Sequence, residues 1–218
     1  VSCLMILIAA FVSVINAKNN YSLSSPDGVL KIQVSTGRSG FNYSISCHHS
    51  LLLHNSKANL SGMNGMLGGT KVVSSRKRKI RESIISPFYR FKSFNSECNE
   101  MNLKMQGGWG IIFRAYDEGV AYRFYTMKKG RIIIKDETAE FNFTKDHLAY
   151  LPYTTNSEKP MAMAFQNIYT VKGLSQQEKQ LAFLPVTVDC GMAKVTFLES
   201  DLEAYPGMFV QPDGINLK

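Results

Sequence analysis

Three carboxylates stand at alternate positions, Glu199, Asp201 and Glu203, directly after the apolar stretch Val195-Thr-Phe-Leu198. In an extended chain, residues two apart aim at the same side. Carboxylates at a strand end are the oxygen donors that a hard cation such as calcium takes, and that ion wants six to eight of them. Spacing alone reads this segment as a solvated acidic turn closing at Tyr205-Pro-Gly207, because Asp and Glu are mostly exposed. Asn167, in Phe165-Gln-Asn-Ile-Tyr169, is a further candidate: an amide suits a metal or a sugar hydroxyl, and equally the hydrogen bonds of a turn.

Other groups could do chemistry and are read more plainly. Arg114 and Arg123 flank an Asp117-Glu118-Gly119 turn, and cross-strand pairing with Asp117, Glu118 or Glu137 is the expected role. Cys47-His48-His49 with His54 has the composition of a ligand cluster, but adjacent side chains on a strand point to opposite faces. These are expected at the surface. Arg76-Lys-Arg-Lys-Ile-Arg81 places five positive charges in six residues and contributes to a net charge of +8. No aromatic platform repeats around the run, so a solvated hairpin arm is expected rather than a nucleic-acid site. Trp109, the one tryptophan, follows Gly107-Gly108 and is expected in the core.

The elements that carry these residues are strands. Turn clusters recur about every ten residues between 24 and 145, the spacing of an all-β sandwich. Ser24-Ser-Pro-Asp-Gly28 is a turn, Val29–Val34 and Phe41–Ser46 alternate apolar and polar, and Leu51–Leu53 continues the sheet. Residues 56–75 read as a loop with a short strand near Lys71–Val73. Phe88–Phe94 and Met101–Met105 read as strands. Trp109–Tyr116 and Val120–Thr126 make a hairpin, with Gly119 supplying a positive φ at its turn. Arg131–Lys135 and Glu137–Phe143 read as two more strands, and Ala182–Val188 and Lys194–Leu198 close the series. One short helix is expected over Ser175–Gln180, capped by Ser175 with Glu178 at its third position. The expected architecture is one domain of antiparallel sheets packed face to face.

Hydrophobic residues make up 44% of 218, enough to bury a sizeable core. Val1–Ala17 carries no charge and reads as the apolar part of a signal peptide, cleaved after Ala17, with the folded domain spanning 18–218. It lacks an initiator Met and a basic start, so the chain is read as beginning inside that signal. The run is too short to span a bilayer, so no stable membrane anchor is expected. Beyond it lie Cys47, Cys98 and Cys190, without the CxxC spacing of a zinc site. They are read as small, mostly buried residues.

Two segments, taken in order, carry a family resemblance. Arg114-Ala-Tyr-Asp-Glu-Gly-Val-Ala-Tyr-Arg123 combines with Glu137-Thr-Ala-Glu-Phe141, and Leu198-Glu-Ser-Asp-Leu-Glu-Ala-Tyr-Pro-Gly207 follows. With the Ser25-Pro-Asp-Gly28 opening, the mature chain resembles the N-terminal domain of glycoside hydrolase family 97. The resemblance implies an antiparallel β-super-sandwich of the galactose-mutarotase-like kind. It implies an exported, periplasmic bacterial α-glucosidase or α-galactosidase acting on α-linked oligosaccharides. It also implies a catalytic (β/α)₈ barrel and a C-terminal β domain beyond residue 218. A calcium ion is implied where the first two domains meet, and Glu199 is the residue matching the ligand this domain contributes. The catalytic carboxylates belong to the barrel, so none is assigned here and the chain alone is expected to be inactive. The rival reading is a stand-alone carbohydrate-binding or structural β-sandwich. The coding sequence after Lys218 separates the two.

Overall fold

The computed structural model describes residues 19–218 except 38–39, 63–64, 67–70, 87, 89, 156–157, 160–161, 163–164 and 204. The expected signal segment lies outside the described residues. The chain first lays down a meander of β1 (Asn19–Ser24), β2 (Leu30–Gly37), β3 (Gly40–Cys47) and β4 (Ser50–Gly62), with the two-residue β5 (Gly65–Met66) folding back on β4. A second meander follows: β6 (Val72–Ile85), β7 (Ser93–Met105), β8 (Trp109–Ala115) and β9 (Val120–Thr126). The next strand, β10 (Ile134–Ala139), returns to the first sheet beside β4. Then come β11 (Leu148–Leu151), β12 (Thr170–Gly173), β13 (Ala182–Phe183), β14 (Val186–Asp189), β15 (Lys194–Phe197), β16 (Phe209–Val210), β17 (Pro212–Asp213) and β18 (Asn216–Leu217). Every pairing among these strands is antiparallel.

Alternation explains why the first two sheets face each other. Ile32, Val34, Phe41 and Tyr43 point inward from one sheet, and Met101, Leu103, Ile111 and Phe113 from the other. Their rings interlock across the gap, Phe41 on Phe124 at 6.2 Å and Tyr43 on Tyr122 at 6.0 Å. Sheets with one apolar face have no other way to remove it from water. A third sheet, in the order β12-β11-β14-β15, adds Leu151, Val186, Val188 and Phe197 to the same continuous core. The expected all-β sandwich is present, and this third sheet extends it.

Several local expectations are corrected. Residues 56–75 are not mainly loop, because β4 and β6 run to 13 and 14 residues and occupy both ends of that stretch. Phe88–Phe94 is not a strand of its own: β7 begins at Ser93, and of the described residues before it Phe88 and Arg90–Lys92 lie outside any strand. The two strands expected over 131–143 are the single strand β10, because pairing with Ala58–Gly62 decides where it starts and stops. The helix at Ser175–Gln180 is only a 3₁₀ turn over Leu174–Gln176. Ser175 does not cap it. Its hydroxyl donates instead to the Asp146 carboxylate, a partner 29 residues away. Ala182–Val188 breaks into β13 and β14 at the cis peptide Leu184–Pro185.

The Trp109–Thr126 hairpin forms in the expected register, with Trp109 opposite Thr126 and Ala115 opposite Val120. Its connection has four residues, closed by the Tyr116 amide donating to the Gly119 carbonyl at 2.8 Å. Gly119 is not in the left-handed region, because a four-residue loop does not need the positive φ of a two-residue turn. Left-handed backbone falls instead at His48 (φ 47°) and His49 (φ 68°), which make the two-residue turn between β3 and β4. Both histidines are exposed, but as turn residues and not as opposite faces of a strand.

Candidate functional site

The acidic segment after β15 is a folded loop. Phe197 is the last buried residue of its strand, stacked on Phe141 at 4.1 Å, and the chain then emerges so that Leu198, Glu199 and Ser200 are exposed. The backbone turns at Asp201 (φ 58°) and Glu203 (φ 45°), and the Tyr205 amide donates to the Leu202 carbonyl at 2.7 Å. This corrects the extended spacing: Glu199 and Asp201 do not share one side of a strand, because β15 ends at Phe197 and the backbone is left-handed at Asp201. The Glu199 carboxylate accepts from the Met208 amide and so ties the loop's start to its end. Met208 packs on the core, which gives the tie a firm footing.

A second acid comes into place from far along the chain. Glu137, on β10, accepts a hydrogen bond from the Tyr205 hydroxyl at 2.7 Å. Beneath them Tyr122 packs against Tyr43 and Phe113. Burial first, and then the charges of Glu137 and Glu199, push the Tyr122 hydroxyl well above its ordinary value. Burial and the Glu137 carboxylate do the same to Tyr205. Both phenols therefore stay neutral at physiological pH and can donate hydrogen bonds. The arrangement is an exposed carboxylate, Glu199, beside a tyrosine-tethered one, Glu137, at one end of the sandwich. No local signal in the sequence joined Glu137 to Tyr205, which lie 68 residues apart.

This set fits a share in a calcium site. The donors are hard carboxylate oxygens, Glu199 is open to solvent, and its second oxygen is free of the Met208 tie. A calcium ion needs more ligands than that. Among the described residues no group of three or more His, Cys, Asp or Glu converges to hold a metal.

The other candidates resolve differently. The Asn167 amide is engaged locally: its nitrogen donates to the Tyr153 carbonyl at 2.7 Å and its oxygen accepts from the Ile168 amide at 2.8 Å. Arg114 does not pair with Asp117, Glu118 or Glu137. Its partner is Glu100 on β7, at 2.9 Å, and Arg78 on β6 reaches the same carboxylate from the other side at 2.7 Å. The register sets Arg78, Glu100 and Arg114 in one row across three strands, on the sheet face away from the core. Arg123 is exposed. Asp117 spans the sheets instead, accepting from the Asp27 amide at 2.9 Å. Trp109 is in the core, with the Lys128 ammonium 5.6 Å above its ring. Cys47, Cys98 and Cys190 are all free thiols, and only Cys98 is fully buried.

Comparison with known proteins gives concordant results. Residues 23–218 match the family described as Glycosyl-hydrolase 97 N-terminal. A retaining alpha-galactosidase of Bacteroides thetaiotaomicron is 34% identical over 205 residues, covering 90% of this chain and 31% of that protein. The fold matches a glycoside hydrolase family 97 enzyme from Pseudoalteromonas sp. strain K8, solved with panose and with acarbose, at TM-score 0.74 and 19% identity. That match covers 91% of this chain and 31% of the enzyme. A beta-arabinopyranosidase matches at TM-score 0.78 and 19% identity, over 90% of this chain and 34% of its own. The chain thus spans about a third of the length of these relatives.

Proposed function

The chain belongs to glycoside hydrolase family 97, of which it is the N-terminal domain, and from that premise we propose that it braces the catalytic barrel of an exported α-glycosidase and lends Glu199 to a calcium ion at the junction. The observation that carries this reading is the state of Glu199. It lies two residues beyond the end of a core strand, faces solvent, and accepts from the Met208 amide, whose side chain packs on the core. A bound calcium supplies positive charge and a fixed centre for oxygen ligands drawn from two domains. Glu199 binds, Met208 orients it, and the Tyr205–Glu137 hydrogen bond holds the loop that carries them. The remaining ligands, and the two carboxylates that break a glycosidic bond, belong to the barrel. The substrate is an α-linked oligosaccharide, on the pattern of the α-galactosidase relative. The apolar run Val1–Ala17 directs export, and the periplasm is the proposed location.

Glu199→Gln in the full-length enzyme tests this. It keeps the shape and the Met208 hydrogen bond but removes the charge. Calcium affinity is expected to fall at least about tenfold, the lower bound seen even for changes one shell further out. Activity should fall with it and recover in part at high calcium. Glu203→Gln should behave as wild type, because that side chain is exposed beyond the left-handed backbone at Asp201. Equal calcium titrations for Glu199→Gln and wild type would return the loop to an ordinary solvated turn. Residues 18–218 alone should release nothing from aryl α-glucosides or α-galactosides, measured against a heat-killed control.

A further inference from the structure

The β6–β7 hairpin outruns the sheet it belongs to. Its neighbour β8 stops at Ala115, opposite Asn99, whereas β7 continues back to Ser93 and β6 out to Ile85. Beyond the buried Cys98, five residues of each strand, Arg81–Ile85 and Ser93–Glu97, project as a two-stranded ribbon, about 16 Å at 3.3 Å per residue. An isolated two-stranded ribbon is at best marginally stable in water. This one also ends in apolar surface: Phe88 is 100% exposed and Ile85 74%, with Ile84, Phe91 and Phe94 exposed beside them. Cations are set among these side chains. The Arg90 guanidinium lies 5.7 Å from the Phe91 ring, and Lys92 follows. Behind the tip comes the basic run Arg76–Arg81, all of it solvent-facing except the half-buried Ile80. From Val72 to Met105 the hairpin holds eight Lys and Arg against three Glu. Two of those glutamates are already paired, Glu97 with Arg81 and Glu100 with Arg78 and Arg114.

The position of the tip narrows what can cover it. The Asn99 amide bonds the Ser24 carbonyl and Asp117 bonds the Asp27 amide, so the ribbon leaves from the end that carries the Ser25–Gly28 and Tyr116–Gly119 turns. Glu199, Tyr205 and Glu137 lie at the opposite end, past Ala139, which pairs with Ala58 beside Phe41. A second copy of the chain is a poor occupant. Pairing along the free edge of β6 would set the basic run against itself, the arrangement by which edge strands prevent self-association. A soluble polyanion would satisfy the cations but leave Ile85 and Phe88 in water. An anionic bilayer satisfies both, because its interface takes apolar and aromatic side chains while its headgroups take flanking cations.

We propose that the β6–β7 hairpin is a membrane-docking arm, whose apolar tip enters the interface of an anionic lipid surface while Arg90, Lys92 and the Arg76–Arg81 run bind headgroups. It is a reversible contact, and it is independent of the calcium reading at the other end of the domain. Phe88→Trp reports on it locally, since the chain's one natural tryptophan, Trp109, is buried. The full chain is titrated with vesicles of equal parts phosphatidylglycerol and phosphatidylcholine, and with phosphatidylcholine alone. With the anionic vesicles the emission of Trp at 88 should move to the blue and be quenched by brominated lipid. Arg90→Gln and Lys92→Gln, built on that reporter, should each weaken the titration about fivefold, the effect of one basic residue near a charged surface. All these positions are exposed, so the fold is not at risk. An emission unchanged at saturating anionic lipid would overturn the proposal, even if vesicles bind through the Val1–Ala17 run. So would retention on heparin that Ile85→Ser and Phe88→Ser leave intact while the vesicle signal is missing, which would identify a polyanion site.

Discussion

Phe113→Ala should lower the unfolding free energy by about 3–5 kcal/mol, the range for deleting a buried aromatic ring. Phe113 is fully buried at the centre of the contact between the first two sheets. It sits on β8 opposite Met101 on one side and Tyr122 on the other, with its ring 6.1 Å from that of Tyr122. These neighbours are themselves fixed by strand pairing, so the void cannot collapse cheaply. A fall in urea midpoint without a change in slope would identify a pure stability effect. The consequence reaches the site, because Tyr122 lies between Phe113 and the Glu137–Tyr205 pair. A loss under about 1.5 kcal/mol, typical of a volume-conserving swap, would show that the two sheets do not pack as described.

Glu100→Ala should cost about 3 kcal/mol, the low end for removing one partner of a buried ion pair. Its side chain is only 4% exposed, on the sheet face where two guanidinium groups cover it. Deleting it leaves two arginines facing each other across β7. The low end is expected because Arg78 is 58% and Arg114 30% exposed, and water can screen what remains. Arg78→Ala should cost less than Glu100→Ala, because the exposed Arg78 leaves no buried charge behind and Arg114 still pairs the carboxylate. The pH dependence has a definite sign. Burial alone would raise the Glu100 carboxyl, but hydrogen bonds and charge from Arg78 and Arg114 outweigh it and hold the group below its ordinary value. A depressed carboxyl stabilises the fold above the unfolded value of about 4.3 and loses that contribution as pH falls through the lowered folded value. Thermal melts from neutral pH downward should therefore show wild type losing its advantage over Glu100→Gln only under acid conditions. A gap that stays constant to low pH would remove the ionised carboxylate from the account.

Features that depend only on neighbours along the chain were legible before any fold was known. Alternation made strands of Val29–Val34, Phe41–Ser46 and the Trp109–Thr126 hairpin, because a period of two in side-chain direction needs only local backbone geometry. The charge run likewise marked Arg76–Arg81 as solvated, and the motifs around Arg114–Arg123 and Leu198–Gly207 were enough for the family. Features that depend on partners far along the chain were not legible. Whether β4 and β6 ran through the Gly- and Ser-rich stretch depended on strands to pair with, and β10 supplied one end and β7 the other. Ser175 kept no helix, because its hydroxyl found Asp146 instead. Arg114 had three acids close in sequence and took none of them. Cross-strand register set Glu100 beside it, under Arg78, where burial makes a charged partner necessary. The calcium role proposed for Glu199 rests on resemblance, since an acidic turn after a strand has no local mark that separates a ligand from a solvated residue. The left-handed backbone at Asp201 and Glu203, the Met208 amide and the Tyr205–Glu137 bond are long-range or conformational facts, and they alone set which carboxylate is held and which is free in solvent.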